Sequence, residues 1–266
     1  MSEPVGIFDS GFGGLTVVRR FLSMLPEESI VYFGDNARVP YGSRSQGEIQ
    51  AFVLEVAEYL VEQGVKALVV ACNTATAAAL PVLKETFSLP VVGIIEPGAK
   101  EAAMTSHSGE IAVIATEYTV NSGSYQEAIK KYNSRAKVYG QACPLFVPFV
   151  EKGKLSGPEV ESAAGEYLSF LADTAVDTLV LGCTHYPHLV NVIRRVVGPE
   201  LRIVDPAVAT VATLREVLQK QGLLAPASNV PGHRFYTSAD PEQFRRFGQQ
   251  LLGFPMDYVK QVPVKK

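Results

Sequence analysis

Two cysteines carry the chemistry this sequence suggests. Cys72 closes the run Val69-Val70-Ala71-Cys72-Asn73-Thr74, and Cys183 closes Val180-Leu181-Gly182-Cys183-Thr184-His185. The runs align without a gap: Val65, Leu68, Val69 and Cys72 match Val176, Leu179, Val180 and Cys183. A thiol has a reference pKa of roughly 8.5, so little of it is thiolate at neutral pH unless the site favours the charge. Two opposed thiols, one ionised and one protonated, can take a proton from one face of a carbon and return one to the other. That is inversion of a stereocentre, each thiol serving as acid in one direction and base in the other. A positioned acid–base group typically contributes about 10² to 10⁴-fold, so the carbanion needs further stabilisation. Asp9, expected beside Cys72, and His185, two residues after Cys183, are candidates for moving the thiol protons.

Other readings of these residues are blander. A cysteine is often a small buried hydrophobe, which suits one cysteine better than two at matched positions. Structural zinc takes four ligands, commonly in close pairs. The H-x-x-H spacing of His185 and His188 near Cys183 leaves that reading open, but no metal is expected. No C-x-x-C redox pair is present. Cys143, before a proline and without a counterpart, reads as structural or pocket lining. The loop Asp9-Ser10-Gly11-Phe12-Gly13-Gly14 lies between a strand and a helix, where backbone amides and the helix dipole favour an anion. Thr16 stands where G-x-G-x-x-G needs its third glycine, and no Walker lysine follows. A carboxylate ligand suits the loop better than a nucleotide. A plain tight turn is the alternative, with Asp9 as a helix cap.

Each cysteine run, apolar and followed by helix-forming sequence, predicts a buried parallel strand feeding a helix. The cysteine then falls at the strand's carboxyl end, where open α/β sheets build ligand crevices. Val5 to Phe8 and Ile30 to Phe33 predict two earlier strands. Ile49, Phe52, Val53, Val56 and Leu60 stripe a helix that ends before Gly64. Pro81 is expected to kink the next helix or restart it. Pro90 to Ile95 predicts a strand leading to Glu96-Pro97-Gly98, as Leu201 to Val204 leads to Asp205-Pro206. The repetition, about 110 residues apart, indicates an internal duplication. The remainder from Ala207 is too small for its own core and is expected to pack back on the first unit. The expected fold is α/β, with two pseudo-symmetric parallel-sheet domains. The first comprises residues 1–96 plus 208–266 and the second 97–207, with the active site in the cleft between them.

Composition narrows the class. Lysine and arginine number 24 against 27 acids, net −3, which gives no electrostatic basis for binding nucleic acid or an anionic membrane. Met1-Ser2-Glu3-Pro4 lacks a signal peptide's basic start and apolar core, and no apolar stretch nears the roughly 20 residues of a membrane span. Three cysteines, an odd number, fit thiols in a reducing compartment rather than a disulfide framework. A cytoplasmic protein is expected.

Four segments together resemble the glutamate racemases: Phe8-Asp9-Ser10-Gly11-Phe12-Gly13-Gly14, Pro40-Tyr41-Gly42, Ala71-Cys72-Asn73-Thr74 and Gly182-Cys183-Thr184-His185-Tyr186-Pro187. They occur in the family's order, and the similarity runs from about Val5 to the C-terminus. The resemblance implies a cofactor-independent enzyme that interconverts L- and D-glutamate and supplies D-glutamate for peptidoglycan, hence for cell-wall biogenesis and cell shape. It implies Cys72 and Cys183 as the two proton donor/acceptors, Cys72 serving the D-isomer and Cys183 the L-isomer. Asp9, Glu151 and His185 match the family's catalytic assistants. Asp9, Ser10, Tyr41, Gly42, Asn73, Thr74, Thr184 and His185 match its substrate-binding positions, and Thr76 and Thr116 are further pocket candidates. A homodimer is implied. On residues alone, Glu151 reads equally as a solvated acid beside Lys152 and Lys154, and His185 as a helix-start residue. Racemisation of aspartate or another small acid, a related decarboxylase, and a non-catalytic two-lobed amino-acid-binding protein are the alternatives.

Overall fold

Short runs of Val, Ile, Leu and Phe, buried on both faces, form the strands of this protein, and amphipathic stretches between them form its helices. The computed structural model describes residues 2–265. Along the chain come β1 (Val5–Asp9), α1 (Leu15–Met24), β2 (Ile30–Gly34), a 3₁₀ turn at Tyr41–Ser43, α2 (Gln46–Glu62), β3 (Ala67–Val70), α3 (Asn73–Thr86) and β4 (Val91–Gly93). Helix α2 opens on a reciprocal capping box between Ser45 and Glu48 and stops at Gly64, whose φ of +74° suits glycine alone. Helix α3 runs through Pro81 without restarting.

The chain continues with α4 (Ile95–Thr105), β5 (Glu110–Ala115), α5 (Glu117–Asn121), α6 (Ser124–Tyr132), β6 (Lys137–Ala142), α7 (Phe146–Glu151) and α8 (Pro158–Leu168). Next are β7 (Thr178–Gly182), a 3₁₀ turn at Tyr186–Leu189, α9 (Val190–Val197) and β8 (Arg202–Val204). Finally come α10 (Pro206–Lys220), β9 (His233–Thr237), α11 (Pro241–Leu252) and β10 (Val259–Gln261). Two compact units result, one from the residues up to Ile94 with those from Ala207 onward, the other Ile95–Pro206.

Both sheets are wholly parallel among the described residues. The first unit has the order β10-β9-β2-β1-β3-β4 and the second β6-β5-β7-β8. Counted within each unit, the four shared strands follow one order, second-first-third-fourth. Strands β3 and β7, which lead to the cysteines, are thus equivalent. The register between the first and third strands of each unit extends the match: Phe8 pairs with Val70 and Ile114 with Leu181, which sets Asp9 against Ala115 and Ser10 against Thr116.

One expected equivalence fails. Only Val91–Gly93 is strand, and Ile95, Glu96, Pro97 and Gly98 form the first turn of α4, where a proline forfeits no intrahelical bond. Leu68 pairs with Val91 and Leu179 with Ile203, so Asp205 corresponds to Gly93 rather than to Glu96.

In the first unit the core is aromatic, with Phe8, Phe21, Tyr32, Phe33, Phe235 and Phe244 almost fully buried. Each such side chain contributes about 1.5–3 kcal/mol on burial. Phe244 and Phe247 of α11 pack on Phe12, with ring centroids 5.3 and 4.5 Å away, and so cover the glycine loop. Among the described residues no helix is long and apolar enough to cross a membrane.

Candidate active site

In the first unit the candidate residues collect at the carboxyl ends of β1 and β3. Asp9 is 1% exposed, and its Oδ2 accepts the Gly11 N–H at 3.0 Å. The Tyr32 hydroxyl donates to the Gly11 carbonyl at 2.8 Å. A Cβ at position 14 would stand 2.5 Å from Asp9 Cβ and 2.7 Å from the Tyr32 hydroxyl. Glycine at 14 is therefore what lets an acid sit beneath this loop.

Cys72 is the N-cap of α3. Its sulfur accepts the Ala75 N–H at 3.4 Å and lies 3.7 Å from Ser10 Oγ. At a helix N-terminus the backbone partial charges favour negative charge on that sulfur. Asn73 and Thr74, both buried, are the first two residues of the helix, at the end where backbone amides favour an anion. Thr76 donates instead to the Val70 carbonyl at 3.1 Å. Tyr41 and Gly42 lie in the 3₁₀ turn after β2. Tyr41 is buried, its hydroxyl donates to Asp35, and burial together with the Asp35 charge raises its pKa well above that of ordinary tyrosine.

In the second unit the thiol has a different setting. Cys183 follows β7, and its sulfur lies 3.7 Å from Nδ1 of His185. The other ring nitrogen, Nε2, lies 2.6 Å from Oε1 of Glu151, the last residue of α7. His185 is 2% exposed. Burial alone would depress its pKa, but the contacts with Cys183 and Glu151 outweigh it and raise the pKa well above the ordinary value. The ring therefore holds its proton more tightly than an ordinary imidazole, and it does so beside the sulfur. Lys154 pairs with Glu159 at 2.7 Å, and Glu151 turns to the histidine. Thr184 is buried between Cys183 and His185 in the chain. Tyr186 holds the following turn, its hydroxyl donating to the Cys143 carbonyl at 3.0 Å and its ring edge-on to Phe146 at 5.1 Å. Thr116 caps α5 through the Thr119 N–H.

Cys143 is fully buried, and burial first, then the neighbouring Cys183, push its pKa far up. Among the described residues no three His, Cys, Asp or Glu side chains converge as a metal site. Sequence reasoning missed Asp35 and Arg38. Arg38 Nε lies 2.6 Å from Asp35 Oδ2, and Ser238 donates to Asp35 Oδ1 at 2.7 Å, so both stand behind Tyr41. The Arg38-x-x-Tyr41 spacing holds no signal by itself.

Residues 13–214 match the model of the Asp/Glu/Hydantoin racemase family. The chain belongs to this family. It is 47% identical over 263 residues to the glutamate racemase of Geobacter metallireducens, covering 99% of this chain and 97% of that one. Its fold matches the Bacillus anthracis glutamate racemase isoform RacE1 with a TM-score of 0.92 at 40% identity, covering 99% of each chain. The glutamate racemase of Francisella tularensis, solved in complex with D-glutamate, superposes with a TM-score of 0.91 at 38% identity, covering 98% of this chain and 97% of that one. As a family member the protein is a racemase.

Proposed function

We propose that this racemase interconverts L- and D-glutamate by two-thiol proton transfer, without a cofactor. One observation carries the reading: equivalent strands of the two units each end in a buried cysteine with its own proton-handling neighbours. Cys183 as thiolate takes the α-proton of L-glutamate, and the Cys72 thiol gives its proton to the opposite face of the carbanion. No electrons are gained or lost. The cycle leaves Cys183 protonated and Cys72 as thiolate, which is the state that starts the reverse reaction from D-glutamate. Between turnovers His185 with Glu151 moves the proton of Cys183, and Asp9 that of Cys72. Asp9, Ser10, Tyr41, Gly42, Asn73, Thr74, Thr184 and His185 bind the substrate's carboxylates and amino group. The first-turn amides of α3 stabilise the negative charge that builds on the α-carboxylate. Glutamate is supported by the relatives above, among them one solved with D-glutamate. The product would serve peptidoglycan synthesis in the cytoplasm, from a homodimeric enzyme.

The test is incubation with L-glutamate in heavy water with no cofactor added. D-glutamate carrying deuterium at the α-carbon is expected, with aspartate far slower. Binding of glutamate without exchange would sink the reading.

A further inference from the structure

The turn that holds Tyr41 and Gly42 is only three residues long, with extended backbone at Pro40 and Arg44 on either side. So short a 3₁₀ segment cannot fix itself, and its position depends on what grips Tyr41. Two grips are visible: the hydroxyl donates to Asp35, and the ring packs against Phe52 with centroids 5.7 Å apart. Both lead to one side chain. Arg38 is 5% exposed, its Nε lies 2.6 Å from the same Asp35 oxygen that Tyr41 uses, and its guanidinium covers the Phe52 ring at 4.2 Å. Asp35 is wholly buried, and Arg38 is the cation paired with it at the back of the turn.

Arg38 is tied further. Its Nη1 donates to Glu55 Oε2 at 2.6 Å and to the Lys265 carbonyl at 3.3 Å, and the Lys265 N–H donates to Glu55 Oε1 at 3.0 Å. The segment after β10 thus closes over the guanidinium from outside. A planar fork with several fixed donors meets these acceptors at once, which a lysine ammonium cannot reproduce.

We propose that Arg38 is a positioning residue for glutamate binding, acting through Asp35 on Tyr41, and that Glu55 and the C-terminal segment hold it in place. This rests on the reading of Tyr41 and Gly42 as substrate-binding. Arg38 touches no reacting atom, so its loss removes binding that ground state and transition state share, which raises KM and leaves kcat largely intact.

The experiment measures kcat and KM for glutamate in both directions for Arg38→Met, Arg38→Lys, Glu55→Gln, Tyr41→Phe and the double variant R38M/Y41F. Arg38→Met should raise KM by about ten- to a hundredfold, the scale produced when a binding group is misplaced. Arg38→Lys should recover part of the loss, and Glu55→Gln should show a smaller rise of the same kind. The double variant should be no worse than the poorer single one, because both changes break one chain of contacts. An unchanged KM in Arg38→Met, a fall in kcat alone, or KM effects that multiply in the double variant would each overturn the proposal. Should Arg38→Met not fold, the KM of Arg38→Lys and Glu55→Gln decides: a rise in both upholds the proposal, and wild-type values overturn it. Absence of glutamate racemisation by the unaltered enzyme would refute the functional reading instead, a separate result.

Discussion

At Cys72 the sulfur takes a backbone N–H from Ala75 and faces the Ser10 hydroxyl, whereas at Cys183 it faces an imidazole that is itself bound to Glu151. The strands beneath are equivalent, and in the aligned sequence His185 stands where Thr74 stands in the first unit. The register sets Asp9 against Ala115. The scaffold and the thiols are matched in the two units, while the residues beside each thiol differ. Beside Cys72 stands a helix terminus with fixed partial charges, and beside Cys183 an imidazole held by a carboxylate. The difference teaches that two thiols can be matched in place yet stand in unlike surroundings, so that in the proposed mechanism their protons move by unlike routes. A substrate whose two enantiomers are interchanged needs the matched places, and it does not need matched routes.

The sharpest way to break this comparison is to remove each thiol in turn. Cys72→Ala and Cys183→Ala should each lose about 10² to 10⁴-fold or more in racemisation, the contribution of one positioned acid–base group. Both should retain native far-ultraviolet circular dichroism. Substantial turnover by either variant would end the two-thiol mechanism.

Next in size is the relay on the second unit. His185→Asn should lower kcat by about 10²-fold, with the larger fall in the kcat of the direction that starts from L-glutamate, read by chiral chromatography of both directions at saturating substrate. Glu151→Gln, which removes one of the contacts raising the His185 pKa, should shift the pH–rate profile toward lower pH. A symmetrical loss in the two directions would show that His185 serves both thiols.

The same histidine makes a prediction about stability. Its folded-state pKa lies above its unfolded value near 6.5, so the folded protein binds the extra proton between the two. Its stabilising contribution is complete below about pH 6.5 and fades as pH rises through the folded-state pKa. Urea denaturation over this range should show the decline in the wild-type protein and a flatter profile in His185→Asn. Equal slopes would place the proton elsewhere.

On the first unit, Gly14→Ala should destabilise by about 1–3 kcal/mol, the usual cost of overpacking, because the new methyl meets Asp9 and the Tyr32 hydroxyl. It should also impair activity through Asp9, which a melting curve and a rate measured on the same sample will show. The smallest effect belongs to Cys143→Ala, about 1 kcal/mol in stability with racemisation retained, since this thiol packs and transfers no proton. A collapse of activity there would add a third thiol to the mechanism.

Much of this was legible beforehand because it is local. Apolar runs closing on a cysteine, with polar residues following, mark strand ends whatever the rest of the chain does, and their repetition marks the duplication. The strand at Pro90–Ile95 was drawn too long because an apolar run cannot say where its hydrogen-bonded partner stops. Only the pairing of β3 with β4 ends it at Gly93. The likeness of Glu96-Pro97 to Asp205-Pro206 misled for the same reason, since similar acid-proline dipeptides at different register positions look alike in one dimension.

By itself the sequence determined the two strand-end thiols, the glycine loop between the first strand and its helix, and the parallel α/β class, because each depends on neighbours a few residues away. Tertiary structure alone decided that Glu151 holds His185 across 34 residues, and that Arg38 gathers Asp35, Glu55 and Lys265 behind Tyr41. A charged side chain in a sequence has no fixed partner. The order of strands and the packing of helices bring a particular acid within hydrogen-bonding distance, and only then do its charge and its proton acquire a role.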